Sequence, residues 1–323
     1  MTAVFYTVDT ELSPGLHQRG LSLAENLNAA VLGITDRGEW GIRYQIERLN
    51  AHGLKGVFFV EALCAYLGDP DILKRIVEPV LQGGHEVQLH LHTEWLKWID
   101  KDPVAGRRGE NIYDFDGDDQ YRLLEMGLNA LTRAGAPTPT AFRAGNYGAN
   151  NATLRALRRL GIRYDTSYNY PFLLKGCRIE APNPLYRPAE LDGAVEVPIT
   201  FFEDYPSHFR PLQLAAVSSA EMEWAIDSSS VKDRPTAVIV SHSFELLNRK
   251  RQRANKMLVR RFNRLCSMLQ QRQARAPTMT FAAFDRTRSQ PARSEPAPLR
   301  SNVARTAVRM LEQSLGNLLY DAA

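Results

Sequence analysis

Residues 86–95 read EVQLHLHTEW, which sets two imidazoles and a carboxylate at every second position of an otherwise apolar run. Extended chain sends successive side chains to opposite faces, so Val87, Leu89 and Leu91 share one face and Gln88, His90, His92 and Glu94 the other. The first face suits a core. The second spaces its donors roughly 6–7 Å apart, and imidazole with carboxylate is the ligand mixture of borderline divalent ions such as zinc. A lone histidine in a strand is ordinarily a hydrogen-bonded packing residue. Two on one face beside a carboxylate leave packing and metal ligation both open. Other stretches bear on the choice: TVDTE at 7–11 puts Asp9 and Glu11 on one side of a strand end, FRAGNYG carries Arg143, YDTSY carries Asp165 and VIVSHSFE carries His242.

The elements that must position these residues alternate along the chain. Strand-like AVFYTV (3–8) precedes a helical pattern over 40–53, and GVFFV (56–60) precedes one over 71–84. The strand 85–92 follows, then a helix over 118–135 leading into TAFRAG (140–145), and a helix over 151–161 leading into IRYDTS (162–167). Two late strands, 194–202 and 236–243, complete the series. Strand, helix, strand in repetition predicts parallel β-structure with helices outside, and each helical segment closes at glycine, as a left-handed cap requires. The number and length of the strands favour an α/β fold of the closed or nearly closed β/α-barrel type over an open doubly wound sheet. In such folds chemistry gathers at the carboxyl ends of the strands, which is where Asp9, Glu11, His90, His92, Glu94, Arg143, Asp165 and His242 fall.

The chain has 323 residues, of which 44% are apolar, enough for a substantial core. Its net charge of +4 is mild and local: ten Lys or Arg lie between Arg249 and Arg275, so a nucleic-acid partner is not expected. Cys64, Cys177 and Cys266 are scattered and odd in number, which argues against a disulfide framework or zinc ribbon and for a reducing compartment. MTAVFYTVDTEL lacks the features of a signal peptide, and no run of about 18 apolar residues occurs, so the expected location is cytoplasmic. Residues 246–275 show an amphipathic helical pattern whose arginines form a solvated face or attract an anionic substrate. Residues 285–301 are rich in Pro, Ser and Arg and read as a flexible linker. In 302–323, Val303, Ala307, Leu311, Leu315 and Leu318 form one stripe, predicting a terminal helix that docks on the barrel or a partner subunit, with peripheral membrane contact as the alternative.

The order and context of these motifs resemble the polysaccharide deacetylase family, the NodB-homology carbohydrate esterases, over residues 4 to about 245. The matching features are the acidic strand end at 7–11, GHE followed by the histidine cluster, the arginine segment, the Asp165 motif and the hydrophobic strand ending in His242. The resemblance implies a distorted (β/α)7-like barrel over 1–284. It further implies a hydrolase that removes an N-acetyl group from an amino sugar with a divalent metal, zinc first, with cobalt, nickel and manganese as alternatives. Asp9 maps to the family's general base. The second acid of that motif is Thr10 here, and Glu11 is its substitute as a ligand. The family's two histidines four apart fall on His90 and Glu94, with His92 between them, so the expected ligands are Glu11, His90, His92 and Glu94. Arg143 resembles the arginine that steadies the base, and His242 is the acid that protonates the leaving amine. Asp165 is expected to hold His242, and the backbone near Asn146 and Tyr147 to stabilise the oxyanion. Tyr147, Tyr168, Tyr170, Trp95 and Trp98 are either core or sugar-stacking residues, and His17, His52 and His208 are expected at the surface without partners. The expected partner is a carbohydrate, lipid- or nucleotide-linked. The competing reading is a barrel that has lost its metal and binds glycans, since Thr10 and Glu94 stand where the family has ligands.

Overall fold

The computed structural model describes residues 1–181, 184–232, 234–284 and 298–321. Eight strands form the main sheet: β1 (Ala3–Thr10), β2 (Val57–Glu61), β3 (Glu86–Leu91), β4 (Ala141–Ala144), β5 (Tyr164–Asp165), β6 (Ala189–Leu191), β7 (Ala194–Glu196) and β8 (Thr236–His242). Their spatial order is β8-β1-β2-β3-β4-β5-β7-β6, parallel throughout except for the β7–β6 hairpin. Winding proceeds in one direction from β1 to β5, as in a barrel and unlike a doubly wound sheet. The sheet is curled, and the outer edge of β8 is covered by backbone of 212–214: Leu214 N donates to Val240 O (2.8 Å) and Val240 N to Leu212 O (3.0 Å).

Helices α1 (Ile42–Ala51), α2 (Lys74–Gln82), α3 (Gly117–Arg133) and α4 (Asn151–Arg159) fill the crossovers, followed by α5 (Ser219–Val231) and α6 (Lys256–Gln271). The glycines just after the first four, Gly53, Gly84, Gly135 and Gly161, have φ of +64°, +72°, +92° and +76°, the left-handed geometry expected of them. Side chains alternate along each strand between the helix layer and the barrel interior. Inside, Phe5, Val57, Phe59, Ala141, Tyr164, Val238 and Val240 pack with Phe281 and Phe284 into a closed apolar floor. The next inward positions up the same strands are polar: Thr7 and Asp9, Glu61, His90, Arg143 and His242. Period two therefore makes one end of β1, β2, β4 and β8 core and the other end site.

Three expectations about elements change. The strand expected over 194–202 is two: β7 in the main sheet, and Phe201–Tyr205 in a separate sheet with His208–Pro211 and Leu299–Arg300. Pro198 lies between them and has no N–H with which to continue the ladder. The helix expected over 246–275 begins only at Lys256, where the Asn255 side chain caps it by accepting from Met257 N and Leu258 N. Of the span 285–301 read as a linker, 285–297 lie outside the described residues, and Leu299 and Arg300 pair with Phe202 and Glu203.

The terminal helix, α7 (Val303–Gly316), is present but docks by the opposite face. Val303, Leu311, Leu315 and Leu318 of the predicted stripe are exposed. The buried face is polar: Arg309, 2% exposed, donates to Asp204 Oδ2 (2.8 Å) and Glu221 Oε1 (3.2 Å), and Thr306 Oγ1 donates to Asp204 O (3.0 Å). Two buried carboxylates need a cation more than the barrel needs another apolar stripe, because an unpaired buried charge costs several kcal/mol. Among the described residues no helix is long and apolar enough to cross a membrane.

Candidate active site

Glu11 follows β1, His90 lies near the end of β3 and His92 just beyond it; the parallel pairing of β1, β2 and β3 brings them to one rim. Glu11 Oε2 lies 2.6 Å from His92 Nε2 and 3.3 Å from His90 Nε2, and one ligand atom from each lies within 4.8 Å of the others. Thr10, turned to the helix layer, spends its hydroxyl on Val8 O (3.0 Å). His90 Nδ1 donates to Arg143 O at 2.8 Å, which leaves Nε2 as the ring nitrogen that faces Glu11 and donates to it. Burial by itself would raise the Glu11 carboxyl, but the charge of His92 and hydrogen bonds from both histidines hold it well below the usual carboxylate range. Burial would likewise lower His92, but Glu11 and then Glu94 push it well above its ordinary value. The cluster thus favours a positive charge at its centre. Two imidazoles and one carboxylate with a side open to a cavity match the three-ligand pattern of a catalytic zinc ion, so the residues present fit a divalent cation.

Glu94 stands behind this trio. Its Oε2 is 3.1 Å from His92 Nδ1, the ring nitrogen on the side away from Glu11, and its Oε1 accepts from Asn146 Nδ2 at 3.2 Å. It therefore orients His92 and stands outside the group of three, Glu11, His90 and His92, whose ligand atoms gather within 4.8 Å, where the sequence led us to expect it among the ligands. Gly145 makes this packing fit: a Cβ there would lie 2.7 Å from His92 Cγ and Nδ1. A further acid is Glu61, fully buried at the end of β2, accepting from Leu63 N (2.7 Å) and His92 N (2.5 Å). Burial pushes its pKa up to about 8, against the charge of His92 and the two backbone hydrogen bonds. It continues the inward series Val57, Phe59, a signal in the period-two pattern of GVFFVE that sequence reading passed over.

Asp9 sits beside the trio. Arg143, wholly buried, donates to Asp9 Oδ1 at 2.6 Å and to Thr7 Oγ1 at 2.9 Å, and its guanidinium lies 4.5 Å from the centre of the Phe59 ring. The other Asp9 oxygen faces His242 Nε2 at 3.9 Å. The opposite ring nitrogen of His242 faces Glu245 Oε2, also at 3.9 Å. Glu245 is tied down in turn, accepting from His242 N (3.0 Å), Ala215 N (2.9 Å) and Gln213 Nε2 (3.2 Å). Burial works against charging His242, but Glu245 foremost, then Asp9 and Glu11, outweigh it and push its pKa up to about 9.

Asp165 is not the residue that holds His242. It pairs in register with Phe142, one position out of phase with Arg143, and so faces away from the interior. It accepts from Ser167 N (3.0 Å) and Ser167 Oγ (2.8 Å), while that hydroxyl accepts from Ala144 N (2.9 Å). Burial raises it and raises its neighbour Glu196 further. Asp165 thus braces the end of β4, the strand that carries Arg143. The turn beyond holds Asn146 and Tyr147 at φ of +55° and +58°, two successive non-glycine residues in the left-handed region, a strain of the kind that clusters at functional sites.

Asp9, Glu11, His90, His92, Glu94, Asn146, Tyr147 and His242 line one cavity of about 650 Å³, together with Phe172, Lys175 and Gln213. Trp95 and Tyr168 are core, and Tyr170 stacks on Phe201. The three histidines expected without partners all have them: His17 packs on Trp95 and Trp98, His52 lies 3.2 Å from Ser267 Oγ, and His208 pairs with Asp204 at 2.5 Å. All three cysteines are buried and free. Glu245 and Gln213 were not anticipated. Glu245 lies three residues after His242, which is a legible signal, whereas Gln213 reaches the cavity only because 212–214 fold onto β8.

No protein-family model matches the chain, and no curated protein matches it in sequence. Among solved structures it is similar to the 4-α-glucanotransferase of Thermococcus litoralis, with a TM-score of 0.50 at 14% identity, over 87% of this chain and 38% of that one. It is also similar to a protein of Mycobacterium smegmatis assigned as a polysaccharide deacetylase (TM-score 0.49, 17% identity, 88% and 94% of the two chains). A family 4 carbohydrate esterase of Streptomyces lividans in complex with acetate is a further neighbour (TM-score 0.44, 11% identity, 86% and 92%). At 14% identity what is shared with the glucanotransferase is the fold alone, a curled β/α barrel.

Proposed function

We propose that this chain is a metal-dependent hydrolase that removes an N-acetyl group from an amino sugar of a glycan or glycan precursor. A shared fold does not select a reaction, so the site has to. The observation that carries the reading is that Asp9, clamped by a buried arginine, faces His242 across 3.9 Å in the same cavity as the Glu11–His90–His92 trio. Those three residues would hold the ion, zinc first among divalent metals. When bound, such an ion polarises the amide carbonyl and lowers the pKa of water. Everything else falls to the chain. Arg143 fixes Asp9 Oδ1, which leaves Oδ2 free to take a proton from the attacking water. His242, kept charged by Glu245, returns a proton to the sugar nitrogen as the C–N bond breaks, so that acetate and a free amine leave. The strained turn at Asn146 and Tyr147 lies where backbone N–H groups could meet the developing oxyanion.

Acetate release from N-acetylated sugars by the zinc-loaded protein tests this directly. Asp9→Asn should abolish turnover and keep the metal. Failure of every N-acetylated sugar with metal demonstrably bound would remove the reading, and loss of metal in Asp9→Asn would make Asp9 a ligand and not the base.

A further inference from the structure

The cavity of the candidate active site does not end at His242. A second one, of about 600 Å³, opens on the far side of that residue and shares His242 and Gln213 with the first. Its walls are the loop after β8, the start of α6 and the last turn of α7. Phe244, Leu247, Met257 and Leu258 give it an apolar side, and its cations are Arg249 and Arg251, with Arg261 at depth.

Arg251 is the unusual member. Its guanidinium lies 4.2 Å from the centre of the Phe244 ring, and that ring is 5.3 Å from the His242 ring, so cation, phenyl and imidazole form one row leading from the second cavity to the first. Among the described residues Arg251 forms no side-chain hydrogen bond or ion pair, and its Nη1 is buried without a partner. Its backbone is left-handed, with φ +56° and a 2.7 Å bond from its N–H to Asn248 O, a conformation unfavourable to a residue with a Cβ. The carboxylates around it are engaged elsewhere: Glu312 by Arg261 at 2.6 Å, Glu245 by His242, Ala215 and Gln213, and Glu11, whose charge still reaches Arg251, by His90 and His92. A half-buried guanidinium with one nitrogen buried and unpartnered is a cost to the free protein, and its planar fork of donors matches phosphate.

We propose that the second cavity is a subsite for the phosphoryl group of the substrate, received by Arg251, with the adjoining aglycone laid on Phe244, Leu247, Met257 and Leu258. The inference rests on the deacetylase reading and names its substrate class: an N-acetylamino sugar joined through phosphate to an apolar or aromatic group. A lipid diphosphate and a nucleoside diphosphate share this chemistry.

Binding of inorganic pyrophosphate to the full chain, measured by titration calorimetry in the presence of a metal chelator, tests the subsite without any turnover. Arg251→Gln should weaken it about tenfold or more, and Arg251→Lys should restore part of it; circular dichroism checks that both variants are folded. Equal binding by wild type and Arg251→Gln overturns the proposal. In the turnover arm, the KM for N-acetylglucosamine 1-phosphate should be about tenfold below that for the methyl glycoside, and Arg251→Gln should erase the preference. Acetate from both sugars at equal KM would overturn the subsite and leave the deacetylase standing. Arg251-dependent pyrophosphate binding without acetate from any sugar would do the reverse. A still lower KM for a farnesyl-diphospho or uridine-diphospho sugar supports the apolar wall and says which aglycone it takes, and no gain with either overturns that part.

Discussion

Replacing Glu245 by glutamine should uncouple His242 from its charge. In the folded chain burial opposes the imidazolium, yet the His242 pKa stands at about 9 against an ordinary 6.5, with Glu245 the foremost cause of the rise. That difference corresponds to about 3 kcal/mol of preference for the charged form. Glutamine keeps a carbonyl that can accept from the backbone at Ala215 but carries no charge. Burial then remains, opposed only by the more remote Asp9 and Glu11, and the pKa should fall to about 6.5 or below. At pH 7.5 the protonated fraction drops from roughly 97% to about 10%, and with it the supply of acid for the leaving amine. NMR titration of histidine-labelled protein in chelator measures this without substrate, with His242→Asn to assign the resonance. The sign for stability follows from linkage. A histidine raised in the folded state stabilises it fully below pH 6.5, and that contribution is lost as pH rises through 9. Urea unfolding at pH 6 and pH 9.5 should therefore differ less in Glu245→Gln than in the wild type. A His242 pKa that stays within about half a unit of 9 in the variant would refute the assignment of Glu245 as its partner.

Three further outcomes are expected. Glu11→Gln should abolish stoichiometric zinc binding in a chelator competition, whereas Glu94→Gln should weaken it only 10- to 100-fold, about 1.4–2.7 kcal/mol, as loss of an orienting carboxylate does; equal losses would make Glu94 a ligand after all. Gly145→Ala pushes a methyl into the His92 ring, so zinc affinity should fall about tenfold or more and the melting temperature should drop, with unchanged affinity the outcome against. Arg309→Ala strands Asp204 and Glu221, and because Asp204 keeps Arg210 and His208, the loss in urea unfolding should be near the low end of the usual 3–5 kcal/mol for a broken buried pair, accompanied by proteolytic release of α7. A variant as stable as wild type would mean that the helix is not held by that pair.

The parts of the site that could be read from the chain were those governed by local rules. Alternation put His90 and His92 on one face, Thr10 away from it and Glu11 toward it, and the glycines at 53, 84, 135 and 161 marked where helices stop. The same rule made Glu61 legible, although it was passed over. Sequence order placed Asp9, Arg143 and His242 at strand ends, and the pairing of β1 with β8 and of β3 with β4 brought them together.

What the sequence by itself determined was the period of each element, and hence which residues share a face and which end of each strand is polar. Only the tertiary structure decided which acid serves which base, because that depends on distances between elements far apart in the chain. Asp165, in a motif that suggested a partner for His242, is one register position out of phase and braces Ser167, while Glu245 does the work from a loop. The C-terminal helix is the plainest case: its stripe predicted the buried face, but Asp204 and Glu221, a hundred residues earlier, required a cation, and electrostatics turned the helix over.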